Sequence, residues 1–279
     1  MSIARVFAVL ALFPLAALAG AIENGTWELS PGEQPGTVQF SLQGGNGGHH
    51  FNTSSDRQLA DLRGLDWTTA AKHDVHFTIA RDAGTIDAQG FLQDQRGAGL
   101  FTFKSNPQYQ QEMSKLSYSF EDKDLFSAAI FDVSLEFARA LKAQAVRGLD
   151  AGKLLAFRIH GVSPEFIRDL RSAGLEAADS GKLIAFRIHG VTPEFVKDLH
   201  GAGINVTDED KLVAFRIHGV SAEFAGEISQ LGYPHAPPDQ LIALRIHGVT
   251  PEYIEGLRSK GMQNLTLDQL VSLRIHGID

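Results

Sequence analysis

Residues 154–166 read Leu-Leu-Ala-Phe-Arg-Ile-His-Gly-Val-Ser-Pro-Glu-Phe, and residues 183–195 read Leu-Ile-Ala-Phe-Arg-Ile-His-Gly-Val-Thr-Pro-Glu-Phe. The tetrapeptide Arg-Ile-His-Gly begins at Arg158, Arg187, Arg216, Arg245 and Arg274, each 29 residues after the last. A fixed period of this length marks a tandem array whose units are single supersecondary elements. One period earlier, Val133-Ser134-Leu135-Glu136-Phe137 lies under Val162-Ser163-Pro164-Glu165-Phe166, a degenerate copy. Before it, Asn106-Pro107 followed by Tyr109, Met113 and Leu116 reads as a lone second helix with a capping residue and a first-turn proline. The array is therefore placed at residues 105–279.

The punctuation predicts two helices of about ten residues per unit. In the first complete copy one helix runs from Ala151 to His160, Gly161 supplies a left-handed cap, Ser163 is an N-cap and Pro164 opens the second helix. Val162 and Ile167 have the spacing of a hydrophobic staple, repeated by Val191 with Val196 and Val249 with Ile254. Gly174, Gly203, Gly232 and Gly261 end the second helices. Helices this short are marginal alone, so stacking between hairpins must stabilise them.

Residues 22–104 have a different period. Val38, Phe40 and Leu42, and again Val75, Phe77 and Ile79, alternate with polar residues as half-buried strands do. Turn residues at Asp82-Ala83-Gly84 and Asp94-Gln95-Arg96-Gly97 fold residues 75–104 into a three-strand meander, and Gly44 to Gly48 mark a hairpin tip. Leu59, Leu62, Leu65 and Trp67 are expected to form either a short irregular plug over an open face or a brief helix. The expected fold class is α+β: a small antiparallel β sandwich or barrel followed by an α-helical-hairpin repeat solenoid. Residues 1–21 combine Arg5, an apolar run from Val6 to Leu18 and small residues at Ala17, Ala19 and Ala21, the order of a secretory signal peptide. That run is shorter than the roughly 20 residues needed to cross a bilayer, and no later segment is apolar enough, so no membrane span is expected after cleavage.

Losing Arg5 with the leader takes the formal charge from −8 to −9, which argues against a nucleic-acid partner. With no cysteine, no disulfide framework can staple an exported chain. The expected location is periplasmic or secreted.

Five histidines share one phase, His160, His189, His218, His247 and His276. Zinc holds nitrogen ligands about 2.0–2.1 Å away, whereas stacked helices are separated by roughly 8–10 Å. Neighbouring repeat histidines cannot share a metal, and each instead suits the negative end of a helix macrodipole. At about 100° per residue, Leu154, Leu155, Phe157 and Ile159 span one arc with Arg158 near its middle. The expectation is a buried ladder pairing Arg158, Arg187, Arg216, Arg245 and Arg274 with Glu136, Glu165, Glu194, Glu223 and Glu252, since a buried guanidinium needs a counter-charge. The rival is an arginine row facing an anionic ligand. On a strand His73 and His76 point to opposite faces, a poor chelate beside His49 and His50. Ser54, Ser55 and Asp56 lack a nucleophile signature, and no His-Glu-x-x-His motif occurs. No catalytic, cofactor or metal residue is assigned.

The stretch Leu244 to Tyr253, Leu-Arg-Ile-His-Gly-Val-Thr-Pro-Glu-Tyr, resembles repeats of bacterial exported proteins of unknown function. It is also similar to the extracytoplasmic tail of some membrane metallopeptidases of the β-lactam-sensor antirepressor family. The segment ending Gly97-Ala98-Gly99-Leu100-Phe101-Thr102-Phe103 resembles the domain preceding the array in those chains. The resemblance implies this architecture but not proteolysis, because the multiple spans and zinc motif of the peptidase are missing. The expected function is that of a non-enzymatic exported protein presenting its repeats to a protein or peptide partner in the cell envelope. The alternatives are an envelope ligand sensor working with a membrane metallopeptidase, and a hydrolase of envelope polymers.

Overall fold

A computed structural model describes residues 23–46, 49–176 and 179–278 of the chain. The expected leader, residues 1–21, and the glycine tip at Gly47-Gly48 lie outside them. The chain separates into two compact units, Met1–Ile79 with Thr85–Pro107, and Ala80–Gly84 with Gln108–Asp279. No helix among the described residues is long and apolar enough to cross a membrane.

The first unit is one six-stranded antiparallel sheet among the described residues: β1 (Glu23–Pro31), β2 (Thr37–Asn46), β3 (His49–Gln58), β4 (His73–Arg81), β5 (Gly84–Gln93) and β6 (Arg96–Ser105). The strand order is β3-β2-β1-β6-β5-β4, so the expected meander of the last three strands joins a hairpin-linked trio through β1 and β6. Phe40 on β2 and Phe77 on β4 stand four strands apart, roughly 19 Å in a flat sheet. Their ring centroids are nevertheless 6.1 Å apart, and Trp27 on β1 meets Phe77 edge-on at 5.1 Å. The single sheet therefore curls until its inner face closes on Trp27, Phe40, Phe77, Phe101 and Phe103, all buried. Glycines permit the curl: a Cβ on Gly99 would lie 2.0 Å from the Gln89 carbonyl oxygen, and one on Gly25 2.1 Å from that of Gln43. Asp94 and Gln95, at φ of 47° and 59°, form a hairpin turn with both central residues left-handed. Of the expected plug, a 3-10 turn spans Leu59–Asp61 and Leu62 is buried beside it.

The second unit begins with α1 (Pro107–Lys115), the expected lone second helix, and the degenerate hairpin α2 (Asp122–Ile130) with α3 (Leu135–Ala143). Three hairpins follow: α4 (Ala151–His160) with α5 (Pro164–Ser172), α6 (Ser180–His189) with α7 (Pro193–Gly201), and α8 (Glu209–His218) with α9 (Ala222–Gln230). The last are α10 (Pro238–Ile246) with α11 (Pro251–Ser259), and α12 (Leu267–Ile275). Gly161 is left-handed at φ 71°, and the Val162 amide returns to the Phe157 carbonyl at 2.8 Å, the bond that closes a Schellman cap. Ser163 Oγ then accepts from the Phe166 amide at 3.2 Å and starts α5. First helices pack on first helices (α4 on α6, α6 on α8, α8 on α10, α10 on α12), and second helices α3, α5, α7 and α9 stack in series. Leu154 and Phe157, and their counterparts Leu183 and Phe186, Leu212 and Phe215, Leu241 and Leu244, are fully buried in the first layer, as is Leu270 on α12.

Candidate interaction surface

The internal ladder of arginines and glutamates is not what the helices build. Arg187, Arg216 and Arg245 are exposed, and Arg158 and Arg274 half-buried. Each guanidinium reaches back one unit and lies over the aromatic ring at the third position of the preceding second helix. The distances to the centroid are 4.3 Å for Arg158 on Phe137, 4.9 Å for Arg187 on Phe166, 4.9 Å for Arg216 on Phe195, 4.7 Å for Arg245 on Phe224 and 4.7 Å for Arg274 on Tyr253. The same groups cap the preceding first helix: Arg187 Nε donates to the His160 carbonyl at 3.3 Å and Arg216 Nε to that of His189 at 3.5 Å. A cation there meets the negative end of the helix dipole and an orphan carbonyl together. In the degenerate unit Asp132 takes the place of the capping glycine at φ 52°. Arg158 donates to its carbonyl at 2.7 Å and to its carboxylate at 3.0 Å. This is the nearest approach to the expected pair, with an aspartate in place of a glutamate.

The glutamates stay within their own helices. Glu136, Glu165, Glu194, Glu223 and Glu252 all sit in the first turn of a second helix, exposed to solvent. The backbone amide of Glu165 and then Arg168, whose Nη2 donates to it at 2.8 Å, hold the Glu165 carboxyl below the usual range. The Thr250 hydroxyl does the same for Glu252. Their common position is explained by the positive end of the helix dipole.

The expected buried arc fails because Ile159 is exposed and Leu155 only half-buried. Counting Leu154 and Phe157 alone moves the centre of the arc by roughly 75° at 100° per residue, which leaves Arg158 on its flank and Ile159 on the far side. Ile159, Ile188, Ile217, Ile246 and Ile275 are between 49% and 58% exposed. Leu155, Ile184, Val213, Ile242 and Val271, four residues earlier and so on the same side of each helix, are half-buried. The first helices thus carry a continuous strip of ten branched aliphatic side chains. Arginines and exposed histidines line its C-terminal edge.

The opposite edge holds a ladder that the sequence reading missed. Lys182 pairs with Asp210 of the next unit, Lys211 Nζ with Asp239 at 2.6 Å, and Gln240 Nε2 donates to Asp268 at 3.2 Å. The donor sits at one position of α6, α8 and α10 and the acceptor 28 residues on, so the pairing crosses the unit boundary instead of falling within it.

His160, His189, His218, His247 and His276 are exposed at the ends of the first helices. In the β unit, His73 Nδ1 faces the Ala71 carbonyl at 2.8 Å and Nε2 the Asp66 carbonyl at 3.1 Å. Two acceptors favour the doubly protonated ring, and the Ala71 carbonyl foremost raises its pKa. Thr69 and Thr68 hold Asp66 down to about 2. His76 pairs separately with Asp87 at 3.0 Å. The side chains of His49 and His50 lie outside the described ones. No group of three or more His, Cys, Asp or Glu residues able to hold a metal occurs among the described residues. No family model matches the chain, and no curated protein matches it.

Proposed function

We propose that this chain is a non-enzymatic, exported interaction protein of the cell envelope that binds a protein or peptide partner along the outer face of its first helices. The observation carrying this reading is the row of half-exposed isoleucines at one phase of the repeat. Every other residue of the motif has work to do in the fold. The phenylalanine fills the core, the glycine closes the helix, the arginine caps and stacks on the preceding unit, and the histidine suits the helix C-terminus. Ile159, Ile188, Ile217, Ile246 and Ile275 are identical in five copies and yet leave half their surface in water. By contrast, Arg168, Lys197 and Glu255, exposed on the second helices, and the half-buried Gly226 at the same repeat position differ from unit to unit. A contiguous apolar strip on a solenoid is the surface such arrays use for extended partners. The arginine edge favours a partner segment with carboxylates beside its apolar side chains.

The triple variant Ile188→Asp, Ile217→Asp, Ile246→Asp tests it. Exposed substitutions leave the fold intact, at about 0.5 kcal/mol or less apiece. Losing anchors of the binding patch costs about 2 kcal/mol or more, at least a thirtyfold drop in affinity. Affinity capture from envelope extract is expected to lose, with the folded variant, the partner retained by wild type. Equal recovery would contradict the reading.

A further inference from the structure

A second row of side chains runs along the array at Arg171, His200, Ser229 and Arg258, one per second helix. Arg171 reaches the C-terminus of the preceding second helix, with Nη1 donating to Gln144 Oε1 at 2.7 Å and Nη2 to the Gln144 carbonyl at 2.5 Å. Arg258 donates to the equivalent Leu231 carbonyl and lies over the Tyr233 ring at 5.8 Å. His200 fills the slot between with its ring, Cε1 standing 3.2 Å from where a Cβ of Gly174 would be. At the α7–α9 junction the residue is Ser229, too short to reach Ala202, the counterpart of Gln144 and Leu231.

The slot there is open. A Cβ built on Gly203 meets nothing within 4 Å, and a cavity of about 210 Å³ occupies the place of the missing side chain. Ala202, Gly203, Asn205, Ser229, His235 and Pro238 are among its lining. Among the described residues no side chain of the following hairpin donates to the Ala202 carbonyl. A helix C-terminus without its internal cation presents partial negative charge and orphan carbonyls, and Ser229 Oγ and Asn205 Oδ1 add two acceptors. Ala225, Pro237 and Leu241 offer apolar walls.

We propose that this cavity is a binding site for a guanidinium group, the arginine side chain of a polypeptide, which takes the position that Arg171 and Arg258 occupy within the array. The planar fork supplies donors to the carbonyl, hydroxyl and amide oxygens, while the aliphatic stem lies against Pro237 and Leu241. The site is built from α7, α9, the loops that follow them and the first turn of α10, and it contains none of the isoleucines of the strip.

The test is a titration of the full mature chain with Nα-acetyl-arginine methylamide, followed through the backbone amide signals of Gly203, Ile204 and Ser229. Saturable shifts at these three positions are expected. The citrulline analogue, equal in shape and uncharged, should bind at least tenfold more weakly. Methylguanidinium serves as a second probe: at least tenfold weaker binding supports a polypeptide arginine using the stem contacts, while equal binding overturns that source in favour of a free guanidino compound. Ser229→Arg should abolish the shifts and raise the melting temperature, because the slot is then filled from within as in the other units. No saturable shift, equal binding of the citrulline analogue, or unchanged binding to a folded Ser229→Arg chain would overturn the proposal.

Discussion

Replacing Phe215 with alanine is expected to destabilise the chain by about 3–5 kcal/mol, the range for removing a fully enclosed aromatic ring. Phe215 has no solvent exposure and lies on α8, which packs against both α6 and α10. A cavity there has walls on two neighbouring units, and those units have no core apart from their neighbours. The loss should therefore appear as one shifted transition of the whole array, not as local fraying of one hairpin. Urea unfolding beside wild type, followed by circular dichroism at helical wavelengths, measures it. A shift corresponding to less than about 1 kcal/mol would mean that the units stand independently.

The arginines should then fall into two classes. Arg158 makes charge-assisted bonds to the Asp132 carbonyl and carboxylate and covers Phe137, so Arg158→Ala should cost about 1.5–3 kcal/mol. Asp132 keeps Arg81 as a second cation at 3.4 Å, which holds the loss below that of an orphaned buried acid. Arg216 is exposed, with a ring contact at 4.9 Å and a long bond to the His189 carbonyl, so Arg216→Ala should cost about 0.5–1 kcal/mol. Equal losses above 3 kcal/mol would restore the buried ladder.

Helix boundaries were legible because each is set by a local rule: Asp150 and Ser163 accept from amides three residues on, and Gly161 takes a conformation that other residues avoid. The fold class followed from the change of period between residues 22–104 and the array. Strands β1 and β3 were harder. Asn52-Thr53-Ser54-Ser55-Asp56 on β3 carries no apolar alternation and exists as a strand because β2 pairs with it along its length. The curl of the sheet was illegible, since Phe40 and Phe77 meet only after every strand is in place. In the array, periodicity identified that Ile159 recurs but not which way it points. A helix with apolar residues on two sides has no single apolar arc, and the arginine was assigned to the wrong one. The Lys211–Asp239 ladder and the slot left by Ser229 both depend on contacts between units, and the period alone gives positions without giving which neighbour each side chain reaches.

A photo-crosslinking amino acid placed singly at Ile188, Ile217, Lys197 and Gly226, in cells that express the chain, compares the two exposed sides of the array directly. Residues 188 and 217 lie on the aliphatic strip of the first helices, and 197 and 226 on the outer side of the second helices. Irradiation should join positions 188 and 217 to the same discrete partner band and leave 197 and 226 without it. Adducts from 197 and 226 with none from the isoleucine positions would contradict the assignment of the strip as the docking face.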